Sequence, residues 1–230
     1  MASPQAVLDR FADGVPCTSL ADSFRPFDRP AGGEPLSMLA TATAATDGGS
    51  ATVSVAETVE ETFLERGEVT SFSDLADLEL DDERLQEVFH ADRKCRVYCE
   101  VARVLANRPE RSDTEALCSW AAEADVYRYD QDPVGDVSGV GPTSFQYLRQ
   151  LTGIDTARPN AALESLLGSI ADESGTTVIE TSEPLRTLAS CEWLSLTTTY
   201  RPLEIDRLAW WLEASADERA RARAVDPTIE

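Results

Sequence analysis

Apolar positions recur at helical spacing along most of the chain, and few segments alternate as a strand would. Between Ser50 and Arg66, Val53, Ala56, Val59, Phe63 and Leu64 fall on one face, and Gly67 stops the run. The same reading predicts helices over 3–12, 36–45, 91–107, 112–124, 142–151, 159–172 and 202–224. The helix over 36–45 is built of small residues and ends at Asp47-Gly48-Gly49. Ser73 is placed to cap a short helix through Leu78, and Asp81 or Asp82 to cap the next, with Leu85, Val88 and Phe89 inward. Residues 13–35 show little pattern, and 125–138 are rich in turn formers. Only Thr176–Glu180 and Leu194–Thr199 read as strands, both short. The expectation is an all-α fold of about nine or ten helices with no internal repeat.

Composition adds the environment. The 230 residues are 42% hydrophobic, enough for one core, yet carry a net charge of -22. Of the twenty basic residues nineteen are arginine, and Lys94 is the sole lysine. Acid-rich, lysine-poor surfaces of this kind resemble those of salt-loving archaea. At about 1 M salt the Debye length is only about 3 Å, so repulsion among the carboxylates is screened there and felt in dilute buffer. No apolar run reaches the roughly 18 to 20 residues of a membrane span, and the first residues (MASPQAVLDRF) have neither a basic leader nor a long apolar stretch. A cytoplasmic monomer without membrane contact is expected.

Cys17, Cys95, Cys99, Cys118 and Cys191 are scattered, and His90 is the one histidine. Cys95 and Cys99 lie one helical turn apart without a second ligand pair, so no zinc or iron-sulfur site is expected and the thiols read as buried core residues.

Charge is uneven. From His90 to Arg111 six basic residues (Arg93, Lys94, Arg96, Arg103, Arg108, Arg111) stand against Asp92, Glu100 and Glu110, a local excess of three positive charges in a strongly acidic chain. The most informative motif lies further on. Val137-Ser138-Gly139-Val140-Gly141-Pro142-Thr143-Ser144 runs directly into the amphipathic Phe145–Leu151. Two glycines around one apolar residue make a tight turn, and Pro142 suits the first position of the following helix. A helix N-terminus presented this way suits a phosphate, or a nucleic-acid backbone through a bound K⁺ or Na⁺ ion.

With this hairpin, the Ala44-Ala45-Thr46-Asp47 helix end, the Thr52-Val53-Ser54-Val55 helix start and the Phe89–Lys94 loop, the sequence resembles the helix-hairpin-helix DNA glycosylase superfamily, the endonuclease III-like fold. The resemblance covers roughly residues 35–172, leaving 1–34 as an N-terminal extension and 173–230 as C-terminal helices that fold back, with Pro202–Trp211 like the terminal helix of some members. It implies two α-helical lobes facing double-stranded DNA. It also implies that the hairpin (Gly139, Val140, Gly141, Thr143, Ser144) binds one backbone phosphate while Arg93, Lys94 and Arg96 approach another. Phe89 and His90 would then lie near the side chain that wedges into the duplex.

The departures from the family pattern bear on chemistry. The lysine that attacks the sugar is replaced by Thr143, which forms no Schiff base. The catalytic aspartate maps onto Asn160, which carries no charge, and Asp155 lies five residues earlier. The family's iron-sulfur loop is missing, and its strand-probing glutamine maps onto Ala44. The expected function is therefore DNA binding linked to base-excision repair with an altered catalytic site. The alternatives are a monofunctional glycosylase using Asp155, without lyase activity, and a protein-interaction scaffold with no enzymatic role. Trp210-Trp211 are expected to anchor the last helix, Tyr127 and Tyr129 to pack, and Asp206 to cap or pair with an arginine.

Overall fold

In the computed structural model, residues 2–24, 33–45 and 52–225 are described, and every regular element among them is helical. Helix α1 (Pro4–Phe11) begins with Ser3 accepting the amide of Ala6 at 3.2 Å, and α2 (Cys17–Phe24) buries Cys17, Leu20 and Ala21. Then come α3 (Pro35–Ala44), α4 (Thr52–Val59), α5 (Phe72–Ala76), α6 (Glu83–Val88), α7 (Asp92–Ala106), α8 (Asp113–Glu123) and α9 (Pro142–Leu151). The chain closes with α10 (Ala161–Ser174), α11 (Pro184–Thr197), α12 (Pro202–Glu213) and α13 (Ala216–Val225). The described residues thus hold thirteen α-helices, more than the periodicity predicts. None is long and apolar enough to cross a membrane.

The additions have local causes. Helix α2 lies in the stretch expected to be patternless; its buried face is only a few residues wide. The expected strand at 194–199 is instead the last turn of α11, because Leu188, Cys191 and Leu194 at three-residue spacing bury one helical stripe that overrides the β-branched residues after it. Thr176–Glu180 is irregular rather than a strand. The long terminal helix is two helices: Ala214 is extended at ψ 140°, and Ser215 with Glu218 forms a capping box that starts α13. The short helix after residue 70 is capped by Ser71, two residues before the expected Ser73, while Asp82 caps α6 by accepting the amide of Arg84 at 2.9 Å. Helix α4 runs on as a π turn over Glu60–Leu64. The expected helix end at Asp47-Gly48-Gly49, the Thr46-Asp47 pair and the start at Ser50 fall outside the described residues.

The chain divides into two compact units, Met1–Pro26 with Asp155–Glu230, and Phe27–Ile154. These limits differ from the expected ones at 34 and 172: the N-terminal helices are built into a unit with the C-terminal ones, and the hairpin motif and α10 fall in different units. In the middle unit, α3 is the axis. All ten of its residues are buried, and α4, α7, α8 and α9 pack around it. Small side chains allow that close approach. The hydroxyl of Tyr98, fully buried on α7, donates to the carbonyl of Leu36 at 3.0 Å and ties α7 to the first turn of α3. In the other unit α12 is central, packed against α2, α10 and α11. Trp211 and Leu20 form a small cluster with Val15, Trp210 and Ala222, and the guanidinium groups of Arg219 and Arg223 lie over the Trp211 ring at 5.6 and 5.0 Å.

Candidate nucleic-acid interface

The hairpin follows a loop held by side-chain hydrogen bonds from Asp132. Asp132 Oδ1 accepts the amide of Val134 at 2.8 Å and the indole N–H of Trp120 at 3.0 Å, an Asx turn pinned to α8. Gly135 passes so close to Tyr129 that a Cβ there would lie 1.7 Å from its carbonyl oxygen. On the far side of the hairpin, Phe145 of α9 meets the rings of Trp120 and Tyr129 at centroid distances of 5.2 and 6.1 Å. Tyr129 therefore packs inside this unit, while Tyr127 is exposed. Asp132 and Gly135 escape the sequence reading, although the Asp-Pro-x-Gly spelling of 132–135 is a turn signature.

Helix α9 starts where predicted. Pro142 takes its first position, the amide of Gly141 donates to Ser144 Oγ at 3.2 Å, and that hydroxyl donates back to the Gly141 carbonyl. The amide of Val140 donates to the carbonyl of Val137 at 2.9 Å. Two of the amides expected to face a phosphate, those of Val140 and Gly141, are thus used to close the hairpin. What remains on its open side is the positive end of the α9 dipole and, from α7, Arg93.

Arg93, Gly139, Val140, Gly141, Thr143 and Ser144 line one depression of about 380 Å³. Gly139 has φ +111° and lies directly on α7, so a Cβ there would come within 2.7 Å of Val97 Cγ2 and 3.6 Å of Arg93 Nε. Arg93 and Arg96 are both exposed, and neither makes a hydrogen bond or ion pair among the described residues. The guanidinium beside Gly139 opposes a second positive charge. The Gly141 carbonyl already accepts two hydrogen bonds and that of Val137 one, so an ion at the expected K⁺ or Na⁺ site would rely on the other hairpin carbonyls beside the Arg93 guanidinium.

Other predicted site residues have different work. Phe89 is buried and meets Tyr98 edge-on at 5.4 Å, so it belongs to the core and not to a wedge; His90 next to it is exposed. The ammonium of Lys94 donates to the carbonyl of Ala44 at 3.3 Å, where it complements the negative end of α3. Asn160 caps α10, its Oδ1 accepting the amide of Leu163 at 3.0 Å. Asp155 accepts the amide of Leu203 in the first turn of α12 at 3.0 Å, with Arg201 Nε 4.0 Å away. Asp206, by contrast, pairs with an arginine as expected: it is buried, accepts the amide of Arg158 and is gripped by Arg207. Each of these carboxyl or amide groups has a structural partner.

Burial disfavours the thiolate form of every cysteine. Burial pushes the Cys17 and Cys99 thiols up to about 11 and raises Cys95, Cys118 and Cys191 as well. No group of three or more His, Cys, Asp or Glu residues placed to hold a metal ion occurs among the described residues. No family model, curated protein or solved structure matches the chain.

Proposed function

We propose that the middle unit holds the phosphate backbone of double-stranded DNA at the depression between the hairpin and α7, as a binding protein linked to base-excision repair that does not itself excise bases. The observation that carries this reading is Arg93: an exposed arginine with no hydrogen bond or ion pair among the described residues stands at the positive end of α9, in a chain whose net charge is -22. In such a chain an unpaired cation beside a helix N-terminus is a place for an external anion. Arg96, three residues on and also exposed, extends the positive face along α7. Backbone contacts position a protein on a duplex without reading its sequence, which suits two arginines and a helix terminus better than a base-specific pocket.

The same residues support binding without excision. Thr143 supplies no amine, Asn160 supplies no charge, and the Asp155 carboxylate is engaged by the Leu203 amide. The chain would bind as a monomer.

Fluorescence anisotropy of a labelled duplex over about 1 to 3 M KCl tests the reading, because each phosphate contact adds roughly one to the slope of log affinity against log salt. The expected outcome is binding whose slope falls by about two in the Arg93→Ala, Arg96→Ala double variant. An unchanged slope would sink the placement. Release of free base from lesion-bearing duplexes would restore the glycosylase alternative.

A further inference from the structure

We propose that Val97 is a positioning residue for the backbone site: its γ methyl, seated against Gly139, locks α7 to the hairpin and holds the Arg93 guanidinium where an incoming phosphate needs it. The proposal rests on the reading of the hairpin as a backbone site and adds how that site is assembled.

Arg93 and Val97 are one helical turn apart on α7 and share a face. They differ in burial: Val97 is buried at 4% exposure, while Arg93 is exposed. Both meet the same spot on the hairpin. The place a side chain would occupy at Gly139 lies 2.7 Å from Val97 Cγ2, 3.6 Å from Arg93 Nε and 3.9 Å from Arg93 Nη2. The missing side chain therefore does two jobs. It lets the hairpin adopt φ +111°, and it leaves room for the Val97 methyl where a Cβ would stand, with the Arg93 guanidinium beside that point. An arginine on a free helix face samples many rotamers, and ordering it on binding costs entropy. Here Gly139 stands beside the guanidinium, and Val97, buried at the same point, is the group we infer keeps it there. Arg93 itself makes no hydrogen bond or ion pair among the described residues that would hold it there. The registration of the two elements is steric, and a steric contact loses its attraction steeply when a gap opens.

Duplex binding by Arg93→Ala, Val97→Ala and the double variant, read by anisotropy with the salt slope, tests this. In the wild-type background Arg93→Ala is expected to weaken binding about tenfold and lower the slope by about one. In the Val97→Ala background it is expected to weaken binding only about twofold, and Val97→Ala alone should already have lost most of the slope contribution of one phosphate. An Arg93→Ala effect of equal size in both backgrounds overturns the proposal while leaving the backbone site standing. Wild-type protein that binds no duplex overturns the reading beneath it. Should Val97→Ala fail to fold, Val97→Ile, whose added methyl pushes on Gly139, takes its place in the same cycle with the same expected coupling.

Discussion

The carboxylate of Asp206 accepts the backbone amide of Arg158 at 2.7 Å, and Asp155, three residues before Arg158, accepts the amide of Leu203 at 3.0 Å, three residues before Asp206. The two bonds run in opposite directions between segments 48 residues apart and fasten 155–158 along the first turn of α12. Acidic side chains at a helix N-terminus are favourable in themselves. Here they also fix the path of the chain into α10.

Removing Asp206 should be costly. Its side chain is 2% exposed and that of its partner Arg207 only 12%, so Asp206→Ala strands a largely buried guanidinium and an amide. A loss of about 3 to 5 kcal/mol is expected. Urea unfolding that places Asp206→Ala within 1 kcal/mol of wild type, as roughly expected of an exposed pair, would contradict this.

Asn160 is expected to behave as a cap. Asn160→Ala should lower stability by about 1 kcal/mol, whereas Asn160→Asp keeps an acceptor for the Leu163 amide and adds a charge that the α10 dipole favours. Thermal melts of the two variants separate them: a lower midpoint for alanine and an equal or higher one for aspartate.

Stability should decline at alkaline pH. The Cys17 and Cys99 thiols are held up at about 11, and burial with a hydrogen bond to Asp9 holds the Tyr200 hydroxyl up at about 12. The folded chain keeps these protons to higher pH than the unfolded chain does. Their contribution is therefore complete below about pH 9 and is lost as pH rises through 11 to 12. Flat unfolding free energy across that window, in molar KCl, would show that these groups are solvated in the folded state.

Salt should stabilise the fold. With 42 acidic residues against 20 basic ones, self-repulsion is strongest in dilute buffer. The melting midpoint is expected to climb from dilute buffer and to level off near molar KCl, where a Debye length of about 3 Å has screened distant charges. A midpoint independent of KCl would place the cause of the acidic composition elsewhere.

Gly135→Ala is expected to be among the most damaging single-methyl additions in the chain, since the new carbon meets backbone at 1.7 Å. Overpacking of this kind costs about 1 to 3 kcal/mol or more. Circular dichroism and melting of Gly135→Ala beside Gly141→Ala, where a Cβ meets nothing within 4 Å, give the comparison.

The sequence by itself determined the helical class, most helix positions and the start of α9, because spacing, caps and Pro142 act within a few residues. It also marked Arg93 and the hairpin, two segments more than forty residues apart that the fold brings to one depression. Only the tertiary structure decided which marked residues are spent on holding the chain together. Phe89 went to the core against Tyr98, Lys94 to the end of α3, Asn160 to a cap, and Asp155 and Asp206 to the fastening of α12. A charged or aromatic side chain has the same local signature whether it faces solvent or a distant backbone amide. What separates the two is a partner tens of residues away, and local periodicity carries no information about that partner.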